Sequence, residues 1–441
     1  MRNRLLLFLL ALGPFGLTVA QERLTLPDVL AEALENNLAV RLVELRRDSL
    51  ANQLTPGNAG LLPLVTAGGR REYRLNDTRQ QFLDGRGNEI DNARADVLTG
   101  SVDAVWTVFD GGGSFTAYKV LQTLERTGEL NQQAVVENLV ADVTAAYFNV
   151  VQQAARVGAF DNTLVISEQR LQLAQDQYEV GTGTKAEYLA AQADRNADRS
   201  ALLDEQRRLQ VARVDLNELL VRSPEASFVV ADTVIPVNDT LHLPALRDRL
   251  RVQNTALAEA RLRRELATLR ARTTRTDFWP ELDLFGSYGY NRLNSEAGFL
   301  VENRQVGFTY GATVRVNLFD GLNQWRRVQN ARIAEQVRAV EIADLEVALD
   351  AAVVRAHYEY LNSLDRARLE EENLEIAEER VSIELDRYRI GVSTPLQLRE
   401  AQRNTVDVQR RLIEATFAAK LAETELLRLT GGLVSRTAAV D

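Results

Sequence analysis

Cysteine is absent from this 441-residue chain, and histidine occurs only at His242 and His357. Disulfides, thiol nucleophiles and most zinc-site designs are thereby excluded, and an export pathway can carry such a chain without disulfide catalysts. Aromatic residues make up 6% and charged residues 26%, which fits neither a helical membrane protein nor a disordered chain. Beyond the N-terminus no run reaches the ~18 consecutive apolar residues of a membrane-spanning helix, so none is expected. A phosphate-binding loop is missing too: Gly111-Gly112-Gly113 lacks the Lys-Ser/Thr of a nucleotide site and reads as a hinge from strand to helix. The run Glu370-Glu371-Glu372 reads as a solvated helix face, and no nucleophile–base constellation occurs. The expectation is therefore a protein with no cofactor, no metal and no catalytic residues.

What is present begins with a targeting segment, residues 1–20. Arg2 and Arg4 form a basic start, LLLFLLALG an apolar stretch, and Thr18-Val19-Ala20 a small-residue cleavage site. No cysteine follows, so no lipid anchor is expected. Losing Arg2 and Arg4 takes the net charge from −10 to −12. An exported acidic chain is a poor partner for nucleic acid.

Glycine and proline are missing from the 69 residues between Leu322 and Ile390. As one helix this run would reach roughly 100 Å at ~1.5 Å per residue. It breaks at RYRIGVSTPLQ, where Gly391 and Pro395 bracket a turn, and a second run follows from Leu396 to Thr430. That run carries a heptad seam: Leu398, Thr405, Leu412, Ala419 and Leu426 alternate with Ala401, Val408, Ala415, Ala422 and Leu429. In the first run Ile333, Val337, Val340, Val347, Ala351, Val354, Tyr358 and Leu361 are expected to supply the matching seam of a long antiparallel hairpin.

A period of two appears elsewhere. Leu98, Val102, Ala104, Trp106 and Val108 alternate with polar neighbours, and Val65 to Leu75 does so more weakly, so two strands within 64–109 are expected, joined by a polar loop from Asn76 to Asp96. A second pair occupies 281–319, with Leu284, Gly286, Tyr288 and Tyr290 on one face and a return strand from Val306 to Leu318. Each has the length of a tilted strand crossing a bilayer. Trp106, Phe109, Trp279 and Phe319 gather at the helix-side ends like an interfacial girdle.

These elements repeat. Phe109-Asp110-Gly111 recurs as Phe319-Asp320-Gly321 at an offset of 210, as do Tyr178 to Gly181 at Tyr388 to Gly391, while Leu26-Pro27, Asn37 and Pro63 recur at an offset of 217. An internal duplication is expected: repeat 1 over 21–223, a mid-level linker over 224–243 with the β-like run SFVVADTVIPV, repeat 2 over 244–430 and a tail over 431–441. Helices 24–54 and 185–222 together have 69 residues against 68 in the long helix 113–180. In repeat 2, 243–276 and 396–430 again total 69, against 69 in 322–390. Two half-length helices stacked end to end are therefore expected to match one long helix.

Four strands cannot close a barrel, and an open edge in lipid leaves backbone groups unsatisfied, so several chains must assemble. The chain resembles the TolC-type outer-membrane efflux and secretion channels over essentially its whole length beyond the targeting segment. The resemblance rests on the duplication, the LTLPDVLAEALENN start, the FDGG and FDGL junctions, and the YEVGTGT and YRIGVSTP turns. It implies a mixed α/β membrane protein: a trimer whose twelve-stranded transmembrane β-barrel, four strands per chain, continues into a twelve-helix periplasmic α-barrel. It also implies a passive exit duct of a tripartite efflux pump or type I secretion system, in the outer membrane, with a periplasmic adaptor and an inner-membrane pump as partners. Adaptor docking falls on Gly181, Thr182, Gly183 and Thr184, and on Gly391, Val392, Ser393, Thr394 and Pro395. The tunnel constriction falls on Glu187 and Glu400, with Gln397 where the family often has an acid; Ser393 and Gly183 replace its gate arginine, with Lys185 and Arg399 nearby. An exported coiled-coil scaffold or adhesin without channel activity is the alternative, which the lipid-length strands disfavour. Nothing in the sequence selects among drugs, metal ions, lipids and proteins as cargo.

Overall fold

A computed structural model describes residues 22–83, 85–297 and 300–433. The targeting segment 1–20 and tail residues 434–441 lie outside the described residues. The chain opens with a short strand, β1 (Glu22–Leu24), then α1 (Leu26–Asn36) and α2 (Leu38–Gln53). A long hairpin follows, β2 (Leu64–Gln81) and β3 (Gly87–Phe109), leading into α3 (Gly113–Glu179) and α4 (Lys185–Leu219). After β4 (Phe228–Val230) come α5 (Leu243–Gln253), α6 (Thr255–Thr276), β5 (Glu281–Ser295), β6 (Glu302–Arg315), α7 (Asn323–Arg389) and α8 (Pro395–Leu429). Both long helices have 67 residues, about 100 Å at ~1.5 Å each.

Several expectations are corrected. The helices expected over 24–54 and 243–276 are each broken, at Asn37 and at Asn254, by an extended residue. The same chemistry acts twice. Asn37 accepts from the Ala39 N–H at 2.9 Å and donates to the Leu219 carbonyl at 3.1 Å, so one amide caps α2 and satisfies the end of α4. Asn254 does this for α6 and α8, with 2.8 Å to Leu257 and 2.9 Å to Leu429. Consequently α4 abuts α2 rather than the whole of 24–54, and the helices that meet end to end have 35 and 16 residues against 67 in α3. The length match expected from the sequence fails because α1 and α5 leave the stack.

The loop expected from Asn76 to Asp96 is strand instead. Cross-strand pairing runs from Leu64–Val105 to Gln81–Gly87, interrupted by a bulge between Asn76 and Thr78 where the Asp77 carboxylate accepts from the Asn92 N–H at 2.8 Å. A ladder of backbone bonds needs no apolar alternation, so polarity concealed it. The return strand of the second hairpin ends at Arg315, short of Leu318. The linker contributes β4, which pairs in parallel with β1 at the chain's start.

At the strand-to-helix junctions, Gly111 and Gly112 take left-handed φ values of +69° and +88°, and Gly321 and Leu322 take +69° and +65°. Asp110 accepts from the Gly112 and Ser114 N–H groups at 3.0 and 2.5 Å, and Asp320 from the Gln324 N–H at 2.7 Å, so each aspartate caps a long helix.

The main core lies at mid-length, where β1, β4, α1, α4 and the middle of α3 meet around Val29, Val143, Phe148, Leu216 and Phe228. Tyr147 closes it, donating to Asp232 at 2.7 Å. A smaller cluster joins α5, α7 and α8 through Leu246, Val353, Tyr360 and Leu426. One 18-residue window of α3 is apolar enough to cross a membrane, but 56% of it is buried in the protein; it is a core helix.

The α8 seam is buried as expected, with Leu398, Ala401, Val408, Ala415, Ala419 and Leu426 all closed off. The α7 seam is not. Ile333, Val337, Val340, Val347 and Tyr358 are 47–71% exposed, and the stretch from Ile333 to Val347 runs beside α6, through Thr268–Glu335 and Arg261–Glu346, rather than beside α8. Heptad spacing identifies a packing stripe but not which neighbour it packs against.

Candidate functional site

The four long strands form one sheet in the order β2-β3-β5-β6, so β2 and β6 are its unpaired edges. Directly opposed residues share a face. One face carries Ala67, Val102, Tyr288 and Phe308 in a single register row, followed by Val65, Ala104, Gly286 and Tyr310. The other carries Thr66, Asp103, Ser287 and Thr309, and is cross-linked by Ser287 donating to Asp103 at 2.5 Å and Thr107 to Asp283 at 2.7 Å. Over the rows between Trp106 and Tyr290 one surface is thus apolar, while the other is largely hydrophilic, with Val105 and Phe285 as its apolar exceptions.

Trp106, Phe109, Trp279 and Phe319 lie at the helix-side end of this sheet, 43–78% exposed. Trp106 donates its indole N–H to the Leu61 carbonyl at 3.1 Å. Trp279 packs so closely on Gly111 that a Cβ there would fall 2.7 Å from the tryptophan Cβ.

At the other end of the long helices the two turns have the same construction. Gly181 and Gly391 take φ of +79° and +75°, which lets the next two N–H groups reach back into the helix. Thr182 and Gly183 donate to the Gln177 carbonyl at 2.9 Å each, and Val392 and Ser393 to Arg387 at 2.9 and 3.1 Å. Thr184 and Thr394 then cap α4 and α8, with Pro395 in the first turn of α8. Gly181, Thr182, Gly391 and Val392 are exposed and Gly183 is half-buried, whereas Ser393 is buried and donates to Glu384 at 2.6 Å.

Glu187 and Gln397, expected at a constriction, both serve as the return arm of a capping box. Glu187 accepts from the Thr184 N–H and hydroxyl at 2.9 Å each, and Gln397 from the Thr394 N–H and hydroxyl at 2.9 and 3.1 Å. The Thr-x-x-Glu and Thr-x-x-Gln spacing is the sequence signature of such a box. The backbone and side-chain donors of Thr184 hold the Glu187 carboxyl below its ordinary range, so it stays ionised. Glu400 is exposed and belongs to no box.

Arg399 does not stand at the tip surface. It is buried and grips Asp198 of α4 with two bonds of 2.6 Å, its Nε 3.8 Å from Asp194. Ser167 donates to Asp198 and Arg170 pairs with Asp194, both from α3. Burial works against the Arg399 charge, but the two aspartates prevail and raise its pKa. Further along, Arg156 of α3 reaches Glu414 of α8 at 2.5 Å. Ion pairs therefore join the two helical hairpins through Arg399 and Arg156, and others, such as Arg170 with Asp194 and Arg411 with Glu370, lie within each hairpin. Nearby, burial pushes the Tyr388 phenol up, within the fields of Arg170 and Glu187. Sequence reasoning missed Ser167, Arg170, Asp194 and Asp198, whose spacing carries no signature.

An open four-stranded sheet with one apolar face, continuous with ~100 Å helices, has the architecture of an outer-membrane channel subunit. The profile of the outer membrane efflux protein family matches residues 29–221 and 246–432, and the chain belongs to that family. It is 23% identical over 434 residues to the outer membrane protein TolC of Vibrio cholerae, covering 96% of this chain and 94% of that one. It is 25% identical to CyaE of Bordetella pertussis, covering 75% and 69%. Among solved structures, VceC of Vibrio cholerae superposes with a TM-score of 0.73 at 17% identity, covering 92% and 96%. The open-state MtrE channel of Neisseria gonorrhoeae gives 0.72 at 18%, covering 92% and 89%.

Proposed function

We propose that this protein is the outer-membrane exit duct of a tripartite export assembly, formed by three copies of an internally duplicated chain. The observation that carries this reading is the sheet: four strands, two unpaired edges, one apolar face and one hydrophilic face. In lipid those edges must pair, and β6 of one copy meeting β2 of the next closes a barrel with its polar face around a lumen. The outward row on α7 supports the same assembly, since a stripe from Ile333 to Val347 needs a neighbouring chain to cover it. Trp106, Phe109, Trp279 and Phe319 sit where the periplasmic boundary of the membrane would fall. Each chain contributes four strands to a twelve-stranded barrel and four helical columns to a tunnel through the periplasm, reached after removal of residues 1–20.

The hairpin tips form the far end of that tunnel. The exposed residues Thr182 and Val392, flanked by Gly181 and Gly391, are the surface that meets a periplasmic adaptor, through which an inner-membrane pump delivers cargo. Glu187 and Glu400 from three chains narrow the opening, and a ring of carboxylates favours cations. Relatives named as efflux-pump outer membrane proteins, such as TtgC of Pseudomonas putida, support an efflux role.

Mass measurement in mild detergent, followed by recording in planar bilayers, tests the reading. Three protomers and discrete conductance are expected. A stable folded monomer, or a trimer that conducts nothing, refutes it.

A further inference from the structure

One register row on the apolar face breaks its pattern. Arg71 of β2 lies opposite Leu98 of β3, Leu98 opposite Arg292 of β5, and Arg292 opposite Arg304 of β6. Three arginines therefore stand in line across the sheet, on the surface the barrel turns toward lipid. Below them, toward the helices, the rows of that face carry no charge: Gly69, Gly100, Tyr290 and Val306, then Ala67, Val102, Tyr288 and Phe308. From Arg292 down to Leu284, opposite Trp106, is eight residues. At ~3.3 Å per residue and a tilt of about 40° that is roughly 20 Å of apolar height, close to the ~25 Å band of a bacterial barrel. The arginines thus mark the external boundary of the membrane, as Trp106 marks the periplasmic one.

Directly opposed like charges destabilise a sheet, and Arg292 and Arg304 are such a pair. Among the described residues only Arg71 of the three has an ion-pair partner, Asp96 at 3.1 Å. Arg292 has a buried Nε with no hydrogen-bond partner among the described residues. Arg304 lies over the Tyr290 ring at 5.5 Å and Arg71 over Tyr73 at 4.9 Å, which spreads the guanidinium planes along the surface. Rigid, flat guanidinium groups at a lipid boundary suit phosphate oxygens, which they bind two at a time.

We propose that Arg71, Arg292 and Arg304 form a binding row for the phosphate groups of a phosphorylated glycolipid in the external leaflet. The bound anion offsets the repulsion between Arg292 and Arg304 and ties the wall of the barrel to the lipid around it. The inference rests on the barrel reading above, and on the apolar face pointing outward.

The test uses the full-length protein in mild detergent, titrated with diphosphoryl lipid A, with its dephosphorylated form and with inorganic phosphate, and read by native mass spectrometry. Diphosphoryl lipid A is expected to bind the assembled protein, with binding weakened by salt. Arg292→Gln with Arg304→Gln should weaken it about tenfold or more, and Arg292→Lys with Arg304→Lys should fall between, since lysine keeps the charge but not the two-pronged geometry. Assembly mass and conductance should be unchanged in both variants. Equal binding by the glutamine variant overturns the proposal, as does equal binding of the dephosphorylated lipid. Displacement by millimolar inorganic phosphate alone would identify a free-anion site and likewise overturn it. Loss of assembly or conductance in the unaltered protein is a separate result, which would remove the barrel reading beneath the proposal.

Discussion

Replacing Arg399 with leucine tests how the two helical hairpins are joined. Arg399 is 7% exposed and makes two 2.6 Å bonds to Asp198, itself 9% exposed. Removing one member of a buried pair typically costs about 3–5 kcal/mol, because the remaining charge stays desolvated. The lower end applies here, since Ser167 still donates to Asp198 and Arg170 still pairs with Asp194. A cost of ~3 kcal/mol raises the population of the detached second hairpin on the order of a hundredfold. Amide hydrogen exchange over residues 398–408, compared with the mid-length core around Tyr147, is the assay. Fast exchange confined to the start of α8 is expected, with the core unchanged. The double variant Arg399→Leu with Asp198→Leu should recover most of the loss, because apolar pairs often replace buried ion pairs without penalty. An effect of Arg399→Leu below about 0.5 kcal/mol, the scale of an exposed pair, would refute the argument. So would a double variant as unstable as the single one.

Val340→Glu with Val347→Glu places charge in the outward row of α7 and should shift the detergent-solubilised mass from trimer to monomer, with each chain still helical by circular dichroism. Asp at Thr182 and at Val392 should abolish efflux in cells while leaving barrel insertion intact; normal efflux in both variants argues against docking at the tips. Glu187→Ala with Glu400→Ala should reduce cation preference and divalent block in single-channel recordings. Because the Glu187 carboxyl is held below its ordinary range, its capping contribution is complete above about pH 4.3, the unfolded value, and is lost as pH falls through the lower folded value. Glu187→Gln, which copies Gln397 at the equivalent capping position of α8, should abolish that pH dependence, measured as amide exchange in the first turn of α4. Gly111→Ala should displace Trp279, read as a shift in tryptophan emission, since the added methyl has no room beside that ring.

Much of this protein was decided locally and could be read from its residues. The length of α7 follows from the absence of glycine and proline between Leu322 and Ile390, that of α3 from the absence of proline alone, and the turns from Gly181 and Gly391, which adopt left-handed backbone there without strain. The strands around Tyr288 and Phe308 follow from alternation, because a pleated backbone sends neighbouring side chains to opposite faces. What the sequence concealed depends on partners distant along the chain. Asn37 looked like any polar residue in a helix, yet the Leu219 carbonyl, 182 positions away, makes it a cap and a break. The β-like run at Phe228 to Val230 is legible, but its pairing with Glu22 to Leu24, some 200 residues away, is not. The α7 stripe from Ile333 to Val347 is left uncovered within the chain, since periodicity carries no information about which surface will cover it. Arg399 and Asp198 are 201 residues apart, and only the packing of α8 on α3 and α4 brings their charges together. Backbone conformation is set by each residue and its immediate neighbours, whereas a cap, an edge strand or an ion pair exists only where the tertiary structure supplies its second half.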